Sequence, residues 1–259
     1  MMKNNQNKRL LTLALTMLAP LLQASETQPG EYDQVCTCVQ EETGLRQIPV
    51  TIRDFQASHP DFEIPYSEYS AYPQDTGIVE YNLGLDGRPV YSNPEGQTET
   101  TRGKANFDQW YRDVPGVNMT LSRTLTMHPS TDDRFKYTYK NLSFFPIDND
   151  GFGNSGYDTE RRYRNFHFTL ETHLKFFYVP GGKFRFKGDD DLWIFINGKL
   201  AVDLGGLHPA LDRVVNLDDI ADELGLEPGN SYSFDLFFAE RHTEASRFQF
   251  ESSFELECL

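Results

Sequence analysis

The sequence predicts an all-β domain: an antiparallel sandwich or barrel with long loops and one or two short helices. Three observations carry that expectation. From Arg46 onward apolar residues recur with period two, helical periodicity is scarce, and the chain holds twenty phenylalanines and thirteen tyrosines. Alternation marks half-buried strands, and aromatic side chains fit a pleated surface.

The elements follow in order. Met1–Arg9 carries Lys3, Lys8 and Arg9 and no acid, and "LLTLALTMLAPLL" follows, then "QAS" with small residues suited to cleavage after Ala24. That is the pattern of a secretory signal peptide, short for a membrane span. Residues 25–47 hold Cys36 and Cys38, and Cys258 is the penultimate residue. In an oxidising compartment a bridge from Cys36 or Cys38 to Cys258 would tie the chain ends together. It would be worth roughly 3–5 kcal/mol in the chain-entropy model.

"FHFTL" and "LKFFYV" put Phe166, Phe168, Leu170, Leu174, Phe176 and Tyr178 at alternating positions, and "KFRFK" repeats the pattern at Phe184 and Phe186. "LWIFI" and "KLAVD" are joined by Asn197–Gly198, the strongest short hairpin signal. In "RFQFESSFELE", Phe248, Phe250, Ser252, Phe254 and Leu256 face one way, as in a single half-buried strand. "NLDDIADELGLEPG" offers one helix, with Asp218 as N-cap and Gly225 as stop, and Asp86–Gly87 turns a further hairpin.

The formal charge is −15, and −18 once residues 1–24 and their three cations are removed. Such a chain repels nucleic acid and anionic membrane, so neither is an expected partner. No later segment reads as a membrane span, which leaves a secreted or cell-surface protein, or a periplasmic one in a bacterium. No nucleophile elbow, zincin motif or metal-ligating His/Cys cluster is present, so no enzyme is expected.

The sharpest feature is "GDDDLWIFING", Gly188–Gly198: three aspartates set against an apolar strand. The hairpin that follows returns Asp203 toward them. Converging carboxylates are tolerable if a hard cation such as Ca²⁺ takes six to eight oxygens. A solvated acidic turn explains the residues equally well. "IDNDGFGNSG", Ile147–Gly156, reads as an ordinary turn, its glycine misplaced for an EF-hand.

Seven blocks in order resemble the fibro-slime domain, between about Ile48 and Glu257: "IRDFQASHPDFE", "LDGRPVY", "FDQWYRDVPGVN", "FFPIDNDGFGN", "NFHFTLE", "FKGDDDLWIFINGKLAVDLGGLH" and "FDLFFAERHTEASRF". Residues 48–259 are therefore read as that domain, similar to the wider PA14 family of exported β-sandwiches or barrels. The resemblance implies a Ca²⁺-dependent carbohydrate-binding module of adhesion or matrix, whose partners are extracellular carbohydrate and other surface proteins. It implies an ion on Asp190 and Asp191 joined by a cis peptide, with Asp189 and Asp203 assisting. It places His208 in the loop that follows, and "AERHTEAS" (Glu240, Arg241 and His242 within it) as the substitute for a second calcium loop. Trp110 and Tyr111 are candidates to stack on a sugar, while Trp193 belongs to the core. The alternative is a structural or signalling interaction protein without a metal; a glycoside hydrolase ranks last.

Overall fold

The computed structural model of the chain describes residues 44–70, 73–131 and 136–258, all within the unit Cys36–Leu259. The expected signal peptide, Cys36 and Cys38, and the side chain of Cys258 lie outside the described residues.

Thirteen strands follow in chain order: β1 Arg46–Phe55, β2 Asn118–Pro129, β3 Tyr137–Asn141, β4 Gly156–Tyr157, β5 Tyr163–Arg164, β6 Phe168–Phe177, β7 Lys183–Gly188, β8 Asp191–Ile196, β9 Lys199–Leu204, β10 Leu211–Asn216, β11 Ser231–Glu240, β12 Phe248–Ser252 and β13 Leu256–Cys258. The helices are α1 Lys104–Phe107 and α2 Leu217–Leu224. Eleven strands make one antiparallel sheet in the order β10–β7–β12–β3–β2–β1–β6–β11–β8–β9, with β13 beside β6. β2 turns the corner, pairing with β1 through most of its length and with β3 only at His128–Pro129. The result is two layers of a nearly closed barrel, as the sequence predicts.

The layers meet through the alternating phenylalanines. Phe184 packs on Phe234 at 5.5 Å and Phe248 on Phe238 at 5.3 Å between ring centroids, edge to face, the arrangement that ring quadrupoles favour. Each such buried side chain stabilises the fold by about 1.5–3 kcal/mol. β8 is buried throughout because it has two apolar faces. Leu192, Ile194 and Ile196 join this core, while Trp193 and Phe195 join a second one with Phe237, Phe107, Trp110 and Tyr111. That second core lies beneath the long segment between β1 and β2, which caps the outer face of β8 and β11.

Local chemistry agrees in most places. The β8–β9 turn has Asn197 at φ 53° and Gly198 at φ 72°, both left-handed, as the primed hairpin turn requires. Gly225 caps α2 at φ 72°. Asp218, however, is not the N-cap. Asn216 holds that position, and the Asp218 carboxylate instead accepts bonds from Tyr178 Oη and Gly181 N. The last predicted strand is two: β12 pairs with β7 and β3, and β13 pairs with β6. Its side chains keep one apolar face because the chain crosses between layers around a single core.

The "IDNDG" loop is a turn tied by ion pairs, Asp148 to Arg164 and Asp150 to Arg123. Gly151 is required there: a Cβ would stand 2.1 Å from Asp54 Oδ2. No helix among the described residues is long and apolar enough to cross a membrane.

Beneath the cap, β1, β6 and β11 also carry a polar network. Arg53 and Arg88 reach Glu171 at 2.8 and 2.9 Å, and His173 Nδ1 lies 2.8 Å from Asp235. Burial lowers the affinity of His173 for a proton, but the carboxylates of Asp235 and Glu171 outweigh it and lift the pKa to about 9. A raised folded-state value makes this stabilisation complete below pH 6.5 and lost as the pH rises through about 9. By linkage the difference is about 3 kcal/mol. Urea unfolding of wild type and His173→Asn between pH 6 and 10 should show the wild-type advantage shrinking across that window. A constant difference would refute the assignment.

Candidate functional site

The acidic triplet lies where the chain crosses from one layer to the other. β7 belongs to one layer and β8 to the next, so Asp189 and Asp190 form the crossover. The segment between β11 and β12 makes the same crossing in reverse. Because β8 pairs with β11 and β7 with β12, the two crossovers run side by side, with Ala239 opposite Asp191 and Phe248 opposite Gly188. "DDD" thereby faces "ERHTEASR", and the arginines of the second answer the aspartates of the first.

Asp189 accepts from Arg247 N at 2.6 Å and from Arg247 Nη1 at 2.9 Å. Asp190 Oδ2 accepts from the backbone N–H of Arg241 at 2.9 Å. Asp191 takes the Arg241 guanidinium on both oxygens, Nε to Oδ2 at 2.6 Å and Nη2 to Oδ1 at 3.1 Å, with Gly206 N adding a bond at 2.7 Å. The other guanidinium protons reach Asp61 O, Thr100 O and Thr100 Oγ1, and the Trp110 ring lies under the cation at 4.8 Å. All five N–H donors of a fully buried arginine are therefore used. Such complete satisfaction is what a charge pair needs away from water.

Ca²⁺ needs six to eight oxygen donors. Here both oxygens of Asp189 and of Asp191, and one of Asp190, already accept protein N–H groups. Asp203 turns aside to Gly77 N, Gly205 N and Trp193 Nε1, pinning the cap to the end of β9. Among the described residues no three His, Cys, Asp or Glu side chains form a group that could hold a metal ion, and no peptide bond is cis. This arrangement does not fit the expected ion or the expected cis linkage. The reason is tertiary: the Arg241 and Arg247 guanidinium groups already pair with Asp191 and Asp189.

The remaining candidates are mostly interior. Trp110 and Tyr111 are 0% and 1% exposed in the second core, closed to a sugar ring. Arg241 is spent on the lock. Glu240 is buried with Oε2 unpartnered. Burial, then the neighbouring charges of Asp190 and Asp189, push its pKa well above the ordinary carboxylate value, favouring the neutral acid. The ring nitrogens of His208 face carbonyls of Pro209 and Leu204 at 3.2 and 3.3 Å, a loop-bracing role. Only His242 approaches the surface, its ring 4.5 Å from that of Tyr66 and its Nε2 3.6 Å from Glu63.

No family model matches the chain. Protein psiR of Dictyostelium discoideum is 40% identical over 208 residues, covering 77% of this chain and 20% of psiR. Protein psiQ of the same organism is 41% identical over 206 residues (76% of this chain, 20% of psiQ), and psiD is 40% identical over 219 residues (82% and 42%). The chain thus spans about a fifth to two fifths of the length of these curated relatives. Among solved structures, the PA14 domain of the MpAFP antifreeze protein is 10% identical with a TM-score of 0.27, over 46% of this chain and 65% of that one. A PA14 sugar-binding domain from an RTX adhesin gives 10% and 0.25, over 48% and 75%. At those scores the fold rests on the strand order itself.

Sequence reasoning missed Arg247 as the partner of Asp189, and missed the surface tyrosines of β4 and β5. The first had a signal, since a basic residue flanks each end of "HTEAS". The second lay in "GYDTERRYR", where two tyrosines bracket a turn.

Proposed function

We propose that this chain is an extracellular interaction domain, working in adhesion or surface contact, that binds its partner without a metal ion and performs no catalysis. The observation that carries this reading is the arginine lock. It uses the aspartates on which metal-dependent sugar binding would rest and leaves the triplet a structural role at the layer crossover. The resemblance to the fibro-slime domain and the PA14 family supports a binding role, and the longer psi proteins support a domain that serves within a larger chain.

The test combines thermal unfolding with a glycan array, each run in Ca²⁺ and in EDTA. A native site saturated at 100 times its Kd would add about 2.7 kcal/mol. The expected result is an unchanged melting temperature and array binding that survives EDTA. A Ca²⁺-dependent rise in melting temperature that disappears in Asp190→Asn would overturn the reading in favour of a calcium lectin, and turnover of a glycan would overturn it in favour of a hydrolase.

A further inference from the structure

Strands β4 and β5 pair with each other outside the main sheet. Two strands of two residues each would not persist alone in water, yet this hairpin is held firmly. The buried Asp158 carboxylate accepts from Glu160 N, Arg162 N, Arg162 Nε and Arg164 Nε at 2.8–3.2 Å, and Glu160 pairs with Arg162 at 3.0 Å. Arg164 is fixed in turn by Asp148 and by stacking 5.1 Å over Phe145. Thr159 N donates to Glu244 O, which ties the turn to the second crossover.

This mount holds two phenols against each other in the open. Among the described residues four tyrosines are exposed, Tyr66, Tyr81, Tyr157 and Tyr163, and of these four only Tyr157 and Tyr163 stand ring to ring. They are directly opposite across the hairpin, so both side chains project from one face. Their ring centroids are 4.9 Å apart with 45° between the planes, and they are 66% and 51% exposed. Two phenol rings joined by one C–C bond have nearly this separation and twist, so little movement separates the pair from a biaryl. Tyr66 also has a neighbour, Tyr69 at 5.7 Å, but its hydroxyl donates to Glu244 Oε1 at 3.2 Å and lies 3.2 Å from His242 Nδ1. Burial, then the Glu244 charge, raises the Tyr66 pKa and holds the proton that oxidation of a phenol must release.

The geometry points to a modification site: Tyr157 and Tyr163 are oxidatively joined into an intramolecular dityrosine that locks the hairpin. The oxidant is hydrogen peroxide acting through a haem peroxidase. Each phenol gives up one electron and its hydroxyl proton, and the two tyrosyl radicals form a C–C bond between ring carbons ortho to oxygen. The hydrogen on each joined carbon then passes to the oxygen of its own ring, restoring both phenols. Peroxide takes the two electrons and two protons and leaves as two waters, so the product is lighter by two hydrogens. Exposure admits the oxidant, and proximity selects the partner. A held neighbour acts at an effective concentration of about 1 mM or more, which outcompetes a second molecule at micromolar protein. The bond closes the turn covalently where main-chain pairing is only two residues long. It needs no ligand and no metal.

The full chain at micromolar concentration would be treated with hydrogen peroxide and a haem peroxidase, digested with trypsin and mapped by mass spectrometry. Trypsin cuts after Lys140, Arg161, Arg162 and Arg164. The expected product is residues 141–161 joined to residues 163–164, two hydrogens lighter than the separate peptides and recovered from the monomer band. Dityrosine fluorescence should appear with it. That signal should be lost in Tyr157→Phe and in Tyr163→Phe, which keep each ring but remove the oxidisable hydroxyl, and kept in Tyr66→Phe. Before oxidation all three variants should melt with wild type, since phenylalanine preserves the packing. A monomer without dityrosine, or a cross-link from either residue to a different tyrosine, would overturn the assignment. So would a Tyr157–Tyr163 link confined to dimers, because the coupling would then run between molecules.

Discussion

Arg241→Ala is expected to destabilise the domain by about 3–5 kcal/mol, the cost of removing one partner from a buried ion pair. The loss exceeds that of a surface bridge because Arg241 and Asp191 are both 0% exposed and neither can be rescued by water. Removing the guanidinium strips Asp191 of two charge-assisted bonds and leaves the carbonyls of Asp61 and Thr100 without their donor. Arg241→Lys should recover little, since one ammonium cannot span the two carboxylate oxygens and the carbonyls together. Replacing both partners by apolar residues (Arg241→Met with Asp191→Leu) should be less damaging than the sum of the single changes, because no unpaired charge remains. Urea unfolding of the four proteins measures this cycle. Additive losses would mean that the lock is not the coupled unit described here.

Trp110→Ala should cost about 3–5 kcal/mol, as large-to-small changes at buried aromatic positions do. The ring packs on Phe107 at 4.9 Å and Trp193 at 6.1 Å, supports the Arg241 cation, and donates Nε1–H to Asp61 Oδ2 at 2.9 Å. Trp110→Phe keeps most of the packing but orphans Asp61 Oδ2, so about 1–3 kcal/mol is expected. This distinguishes a core residue from a sugar-stacking one. A stacking tryptophan on the surface would lose ligand affinity on substitution and leave the unfolding midpoint in place. An unchanged midpoint for Trp110→Ala would therefore restore the stacking role.

The strand pattern was legible because burial of one face imposes a period of two on the sequence itself. Phe184, Phe186, Phe248 and Phe250 occupy the predicted faces, and Asn197–Gly198 turns where its backbone freedom requires. The split of the final strand was not legible, since Phe250, Phe254 and Leu256 line one continuous core on either side of the layer crossing. Alternation records which side is apolar and is silent about which neighbour a strand pairs with. The aromatic candidates failed for a related reason. "QWYRD" has the composition of either a binding loop or a cap, and only the apolar outer face of β8 and β11 decides between them.

The sequence by itself determined an antiparallel all-β chain and the position of the acidic triplet at the head of its most apolar strand, because both follow from local periodicity and turn chemistry. Only the tertiary structure decided what neutralises the triplet. Arg241 and Arg247 lie 50 and 58 residues from their aspartates, and the antiparallel, side-by-side course of the two crossovers brings them together. The energy of a buried charge is set by the group across from it, and pairing between layers is a property of the fold.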